Sequence, residues 1–282
     1  MEWRGRRGSR NVEDRRGMGR AGAGGVGIVG MLAILAVGYF FGIDITPIVQ
    51  GIDGGSQSGQ SRELTQEEKE SGQFVSVVLA DTEEVWSRVL PEQAGVKYTD
   101  PQLVMFSGVV NSACGSAQSA MGPFYCPNDR KVYLDTDFFK IMSQKMGAGG
   151  DFAYAYVIAH EVGHHVQNLL GILGQTMKAR QQTDEVTANH ISVATELQAD
   201  CFAGIWARQA NEQFGTIQPG DIEEAINAAA AVGDDTLMTK AGRAPMPDAF
   251  THGSSRDRMT WFKRGFDSGQ LANCDTFKAA GF

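Results

Sequence analysis

From Ala21 to Ile43 the chain reads AGAGGVGIVGMLAILAVGYFFGI, with no charged residue. As an α-helix a run of this length crosses about 30 Å of hydrocarbon, so it predicts a transmembrane segment that divides the chain. Its glycines weaken a helix in water but are common in membrane helices, and Tyr39, Phe40 and Phe41 suit an interfacial belt at the far end. Residues 1–20 carry seven arginines against Glu2, Glu13 and Asp14, about +4; with −8 for the whole chain, the remainder holds about −12. The basic flank should stay in the cytoplasm and the chain beyond Asp44 should face outward. A cleaved signal peptide fits less well, because the run is longer than a signal core and no A-x-A-like site follows.

The expected organisation is a basic tail at 1–20, a transmembrane helix at 21–43, a flexible linker at 44–62 rich in Gly, Ser and Gln, and one folded domain at 63–282. An acidic body argues against nucleic acid as a partner, since phosphate binding needs a basic face. The four cysteines are an even set in a chain read as extracytoplasmic, which suggests two disulfides. Cys114 and Cys126 flank the turn-rich CGSAQSAMGPFYC and are paired with each other, and Cys201 with Cys274 by elimination.

Within the domain, Thr65 and Glu68 form a capping-box pattern ahead of a helix to about Leu90, which Pro91 should stop. Apolar stretches at 103–110 and 130–135 predict a small antiparallel sheet around the Cys114–Cys126 loop. Helices are expected near 137–146, 152–170, 184–214, 221–232 and 256–266. The fold class is therefore α+β, mostly helical with a minor sheet.

The chemistry is carried by His160-Glu161-Val162-Gly163-His164, an H-E-x-x-H within the apolar stretch AYVIAHEVGHHVQNLL. On a helix, residues four apart share a face, so both imidazoles can reach one zinc ion. Glu161 can then take a proton from a zinc-activated water, as a general base. His165 lies off that face and reads as structural or supporting. A third ligand is needed, and Glu196 in Thr195-Glu196-Leu197-Gln198-Ala199-Asp200 can supply it. Asp200, one turn further on, can accept the N–H of a ligand imidazole. His190 is the rival third ligand. Asp234 and Asp235 read most simply as a helix cap.

H-E-x-x-H followed by E-x-x-x-D resembles the gluzincin metallopeptidases. AYVIAHEVGHHVQ, ELQADCFAG, GPFYCP, THGSSRDR and the start WRGRR through NVEDRRG together resemble the bacterial predicted neutral zinc metallopeptidase family. This resemblance implies a zincin-like metallopeptidase domain behind an N-terminal transmembrane helix. Together with the arginine bias before Ala21, the expectation is a single-pass protein of the bacterial inner membrane, with its catalytic domain periplasmic. Thr251-His252 with Arg258 resembles a late motif of membrane-associated gluzincins, where a histidine stabilises the oxyanion. By that likeness His252 is a candidate catalytic donor and Arg258 an orienting residue. The expected activity is hydrolysis of peptide or protein substrates with one zinc per chain. The competing class is a zinc-stabilised, membrane-tethered binding or assembly factor with little turnover.

Overall fold

The computed structural model describes residues 1–17, 62–118 and 122–282. The run 21–43 and nearly all of the 44–62 linker lie outside the described residues. Among the described residues no helix is long and apolar enough to cross a membrane.

The first helix, α1 (Gln66–Ala94), opens as its sequence predicts: the Thr65 hydroxyl accepts from the Glu68 N–H, and the Glu68 carboxylate accepts from the Thr65 N–H. Pro91 does not end it. The helix runs one more turn and stops at Gly95, whose φ of 67° suits a left-handed cap and whose N–H donates to the Pro91 carbonyl. Proline's missing N–H removes a single helical bond, and burial of Val89 and Leu90 beside it holds the turn in place.

The sheet differs from the expectation. Strands β1 (Val12–Asp14), β2 (Gln102–Phe106), β5 (Phe124–Cys126) and β6 (Lys131–Asp135) stand in the order β1-β2-β6-β5. β1–β2 and β2–β6 are parallel, and only β5–β6 is antiparallel. A separate hairpin joins β3 (Val109–Ser112) to β4 (Gly115–Gln118). Parallel pairing needs a connection that returns across the sheet, and the hairpin lies within the long connection from β2 to β6. Leu103, Met105, Val132 and Leu134 face the main core, while Val104, Phe106 and Tyr133 form a second cluster with Val110, Ala117 and Cys126 on the opposite face.

Residues 1–17, expected as a separate tail, belong to the body. Trp3 is buried edge-on against Phe74, with ring centroids 5.5 Å apart, and its Nε1 donates to Asp151 at 2.9 Å. The Met1 amine pairs with Asp221 at 3.1 Å, Arg6 with Asp81 at 2.5 Å, and the buried Arg16 with Asp14 at 2.7 Å. Strand β1 then joins the sheet in register Val12 to Leu103. Arg4, Arg6 and Arg7, which made this segment read as a solvated tail, are instead matched to Glu70, Asp81 and Glu84 of α1.

After β6 come α2 (Asp137–Ile141) with a π-helical turn at Met142–Met146, α3 (Asp151–Leu169), α4 (Ile172–Gln181), α5 (Glu185–Phe214), α6 (Asp221–Ala231), α7 (Asp234–Lys240), α8 (Ser255–Ser268) and α9 (Thr276–Ala280). The sequence reading misses α4, α7 and α9. The body is thus α+β and mostly helical. α5 is its spine, packed against α3 and α8. Close approach depends on residues without side chains: a Cβ on Gly163 would stand 3.0 Å from the Ala199 carbonyl oxygen, and one on Gly265 would run into the Cys201 carbonyl. Both disulfides, Cys114–Cys126 and Cys201–Cys274, are present, the second tying α5 to the C-terminal segment.

Candidate metal centre

The site forms where α3 and α5 face each other. His160 and His164 stand one turn apart on α3, and Glu196 reaches across from α5. His160 Nε2 lies 3.2 Å from Glu196 Oε2, and His164 Nε2 lies 3.5 Å from Glu196 Oε1. One ligand atom from each of the three falls within 4.8 Å of the other two. Ligands about 2.0–2.1 Å from a tetrahedral centre stand about 3.3 Å apart, so the spacing fits a zinc ion.

The opposite nitrogens are also held. Asp200, fully buried on α5, accepts from His160 Nδ1 at 2.8 Å. Its carboxylate also accepts from the Tyr156 hydroxyl at 2.5 Å and from Arg258 Nε at 2.9 Å and Nη2 at 3.0 Å. His164 Nδ1 donates to Gln167 Oε1 at 2.9 Å, and Gln167 is fixed through its Nε2 to the Thr195 carbonyl and to Gln198. Each imidazole thereby presents Nε2 inward, as a metal ligand needs.

The electrostatics agree. Burial opposes protonation of His160, but the Asp200 and Glu196 carboxylates outweigh it and raise its pKa to about 10. Burial would raise Glu196, yet His164 and His160 hold it well below the ordinary carboxylate range. The cluster draws positive charge inward, and a bound metal would displace the imidazole protons. Glu161, buried beside the ligands, is pushed up chiefly by that burial.

The ligands open into a cavity of about 500 Å³, also lined by Glu161, Tyr156, His252 and Arg258 together with the apolar Phe124, Phe138, Leu173 and Met177. His252 is turned toward Asp234 through Nδ1 at 3.2 Å. Asp234 does not cap the helix it opens, contrary to the sequence reading: the N-cap position is Gly233, with no side-chain cap bond. Its Oδ2 accepts the N–H groups of Thr251, His252 and Gly253, while Asp235 accepts from Ser255, so the GDD pair shapes the loop that carries His252. His190 stands apart, half-exposed near Asp248. His165 is buried between the Thr99 carbonyl and the Tyr125 hydroxyl and ties α3 to the edge strand β5.

Sequence reasoning missed Tyr156 and Gln167. Each had a signal: Tyr156 precedes His160 by four residues and Gln167 follows His164 by three, so both share the ligand face of α3.

A mostly helical α+β body that sets an H-E-x-x-H helix against a helix bearing Glu196 and Asp200 defines the class, a protein built around a candidate zinc site. The chain belongs to the family whose model is described as "Putative neutral zinc metallopeptidase", which matches residues 1–277. It is 47% identical to the uncharacterized protein YpfJ of Escherichia coli (strain K12), over 98% of this chain and 99% of that one. It is also 45% identical to the uncharacterized protein Rv2575 of Mycobacterium tuberculosis (strain ATCC 25618 / H37Rv), over 70% of this chain and 67% of the relative. No solved structure matches the chain.

Proposed function

We propose that this protein is a zinc-dependent peptidase of the gluzincin type that acts on peptide or protein substrates. The observation that carries the reading is the convergence of His160, His164 and Glu196 in a cavity that also holds the buried carboxylate of Glu161. A purely structural metal site would need the three ligands and would have no use for Glu161.

A zinc ion held by those ligands supplies Lewis acidity, lowering the pKa of a water and polarising a carbonyl. Glu161 takes a proton from the attacking water and returns it to the leaving amine. Its burial suits both tasks, since it brings a carboxyl closer to the working pH. His252 has Nδ1 committed to Asp234, so Nε2 is the nitrogen available to steady charge on the substrate's carbonyl oxygen. Arg258 is a positioning residue that acts through Asp200.

The uncharged run 21–43 is, in this reading, the membrane contact of the protein. Retention in the membrane fraction after an alkaline wash tests that part.

The catalytic reading is tested with Glu161→Gln, which keeps the side chain's shape and removes the base. Zinc content should stay at one per chain, while cleavage of a peptide library should fall by roughly 10²–10⁴-fold. Equal rates in the two proteins would overturn the mechanism. Bound zinc with no cleavage by either protein would favour the membrane-tethered binding factor.

A further inference from the structure

One wall of the cavity in front of the ligands is a single face of α4. Leu173, Thr176, Met177 and Arg180 line it, at the i, i+3, i+4 and i+7 spacing of one helix face. That face grades outward. Leu173 and Thr176 are buried, and the Thr176 hydroxyl is turned back to the Leu173 carbonyl at 3.1 Å. Met177 is 47% exposed, and Arg180 is exposed. The wall therefore runs from an apolar interior, shared with Phe124 and Phe138, to a guanidinium at the mouth.

Arg180 is the uncompensated charge of this wall. Among the described residues it forms no ion pair and no side-chain hydrogen bond. The other arginine that lines the cavity, Arg258, is held by Asp200. The two carboxylates of the lining, Glu161 and Glu196, stand at the metal centre. Two basic residues close α4, Lys178 and Arg180, and both suit the negative end of a helix. Lys178 does not line the cavity, so the helix end accounts for the presence of positive charge and not for its placement on the cavity face. The whole chain carries −8, so a positive mouth runs against the charge of the molecule.

We infer that the cavity selects substrates in which a carboxylate lies about three residues from an apolar side chain, and that Arg180 is the specificity-determining residue that reads the carboxylate. From Leu173 to Arg180 the helix rises about 10 Å, which about three residues of extended peptide span. The apolar side chain lies against Leu173, Phe124 and Phe138, while the planar guanidinium offers a carboxylate two parallel N–H donors. That carboxylate is an acidic side chain or the free C-terminus of the substrate. The inference rests on the reading of the cavity as a peptide site and not on the catalytic step.

The test uses the zinc-loaded full-length chain carrying Glu161→Gln, so that peptides bind without being consumed. The probes are fluorescent, amidated peptides with one Phe and, three residues to either side of it, Glu, Gln or Lys. A further probe ends in a free carboxylate three residues after Phe. Glu peptides should bind roughly 2–5-fold more tightly than Gln peptides, the size of a solvent-accessible charge pair, and Lys peptides more weakly than either. Added salt should shrink the difference. Arg180→Lys should keep the preference, Arg180→Gln should abolish it and Arg180→Glu should reverse it toward Lys. Tighter binding of the free-terminus probe than of the Glu peptides identifies a chain end as the source of the carboxylate, and the reverse an acidic side chain. Equal affinity for Glu and Gln peptides, a preference that survives Arg180→Glu, or no binding of any probe would each overturn the inference. The same peptides given to the unmodified protein separate this inference from the catalytic reading. Cleavage should show a KM for Glu peptides that rises in Arg180→Gln while kcat holds. Cleavage indifferent to charge would overturn the role of Arg180 and leave the peptidase reading standing. A charge preference in binding without any cleavage would do the opposite.

Discussion

The metal centre and the N-terminal segment are built from the same kinds of contact, buried ion pairs and hydrogen bonds, yet they differ in how far those contacts reach along the chain. His160 and His164 are brought together by one helical turn, and His164 and Gln167 by a little less. Trp3 meets Asp151, Arg6 meets Asp81, and the Met1 amine meets Asp221. The difference teaches why one region announces its role in the sequence and the other disguises it. Helical periodicity is a local rule, so a ligand pair is visible in five residues. A run of arginines carries no record of the carboxylates that will receive it, and on composition alone it reads as a solvated tail.

The sharpest way to break the comparison is to remove a local contact and a distant one and ask what each takes with it. His164→Ala should reduce zinc from one per chain to none by metal analysis, with the N-terminal contacts intact. Zinc retained in full would mean that the donor set is wrong. Trp3→Ala, at the far end of the other region, should cost about 3–5 kcal/mol of stability, the range for removing a buried Trp, and should leave zinc stoichiometry unchanged. A shift in denaturation midpoint worth less than about 0.5 kcal/mol, the range of ordinary surface changes, would return the segment to the status of a tail.

A pH experiment sharpens the same contrast. Burial raises Asp81 to about 6, against the pull of Arg6. Because the folded-state pKa is the higher one, this carboxyl's contribution to stability is fully present below its unfolded value, about 3.9, and is lost as pH rises through about 6. The rise to about 6 corresponds to roughly 3 kcal/mol at most. Asp81→Asn should flatten the stability profile over that window, and an unchanged profile would show that another group governs it. The smallest effect belongs to the metal centre's support. Asp200→Ala should weaken zinc binding about 10–100-fold, as loss of a carboxylate behind a ligand imidazole does, while Glu196→Ala should weaken it further. Equal affinity for Asp200→Ala and the unmodified protein would show that Tyr156 and Arg258 can orient His160 without it.

Much of the helical framework was legible because its rules are local. Thr65 and Glu68 cap α1 as their spacing requires, Asp184 caps α5, and the H-E-x-x-H falls on α3. The cysteine pairs were legible for a different reason: with Cys114 and Cys126 flanking one turn-rich loop, only one partner remained for Cys201. Pro91 was misread because proline's local penalty was outweighed by the burial of its neighbours. The strand pairing was misread because alternation tells which residues face the core and not which strand lies alongside. Val12 pairs with Leu103 and Gln102 with Lys131, in parallel, and neither register is written into a turn.

By itself, then, the sequence determined the longer helices, the capping box that opens α1, the two imidazoles on one face and the carboxylate beside them, since each depends on residues within a turn or two. Only the tertiary structure decided that Glu196 crosses from α5 to meet both imidazoles, that Arg258 from α8 neutralises Asp200 behind His160, and that Asp234 shapes the loop of His252. It also decided that the chain's first residues complete the core on which α1 and the sheet rest. Those contacts join positions tens to hundreds of residues apart, and what selects them is close packing of whole elements: Gly163 against Ala199, Gly265 against Cys201 and Trp3 against Phe74.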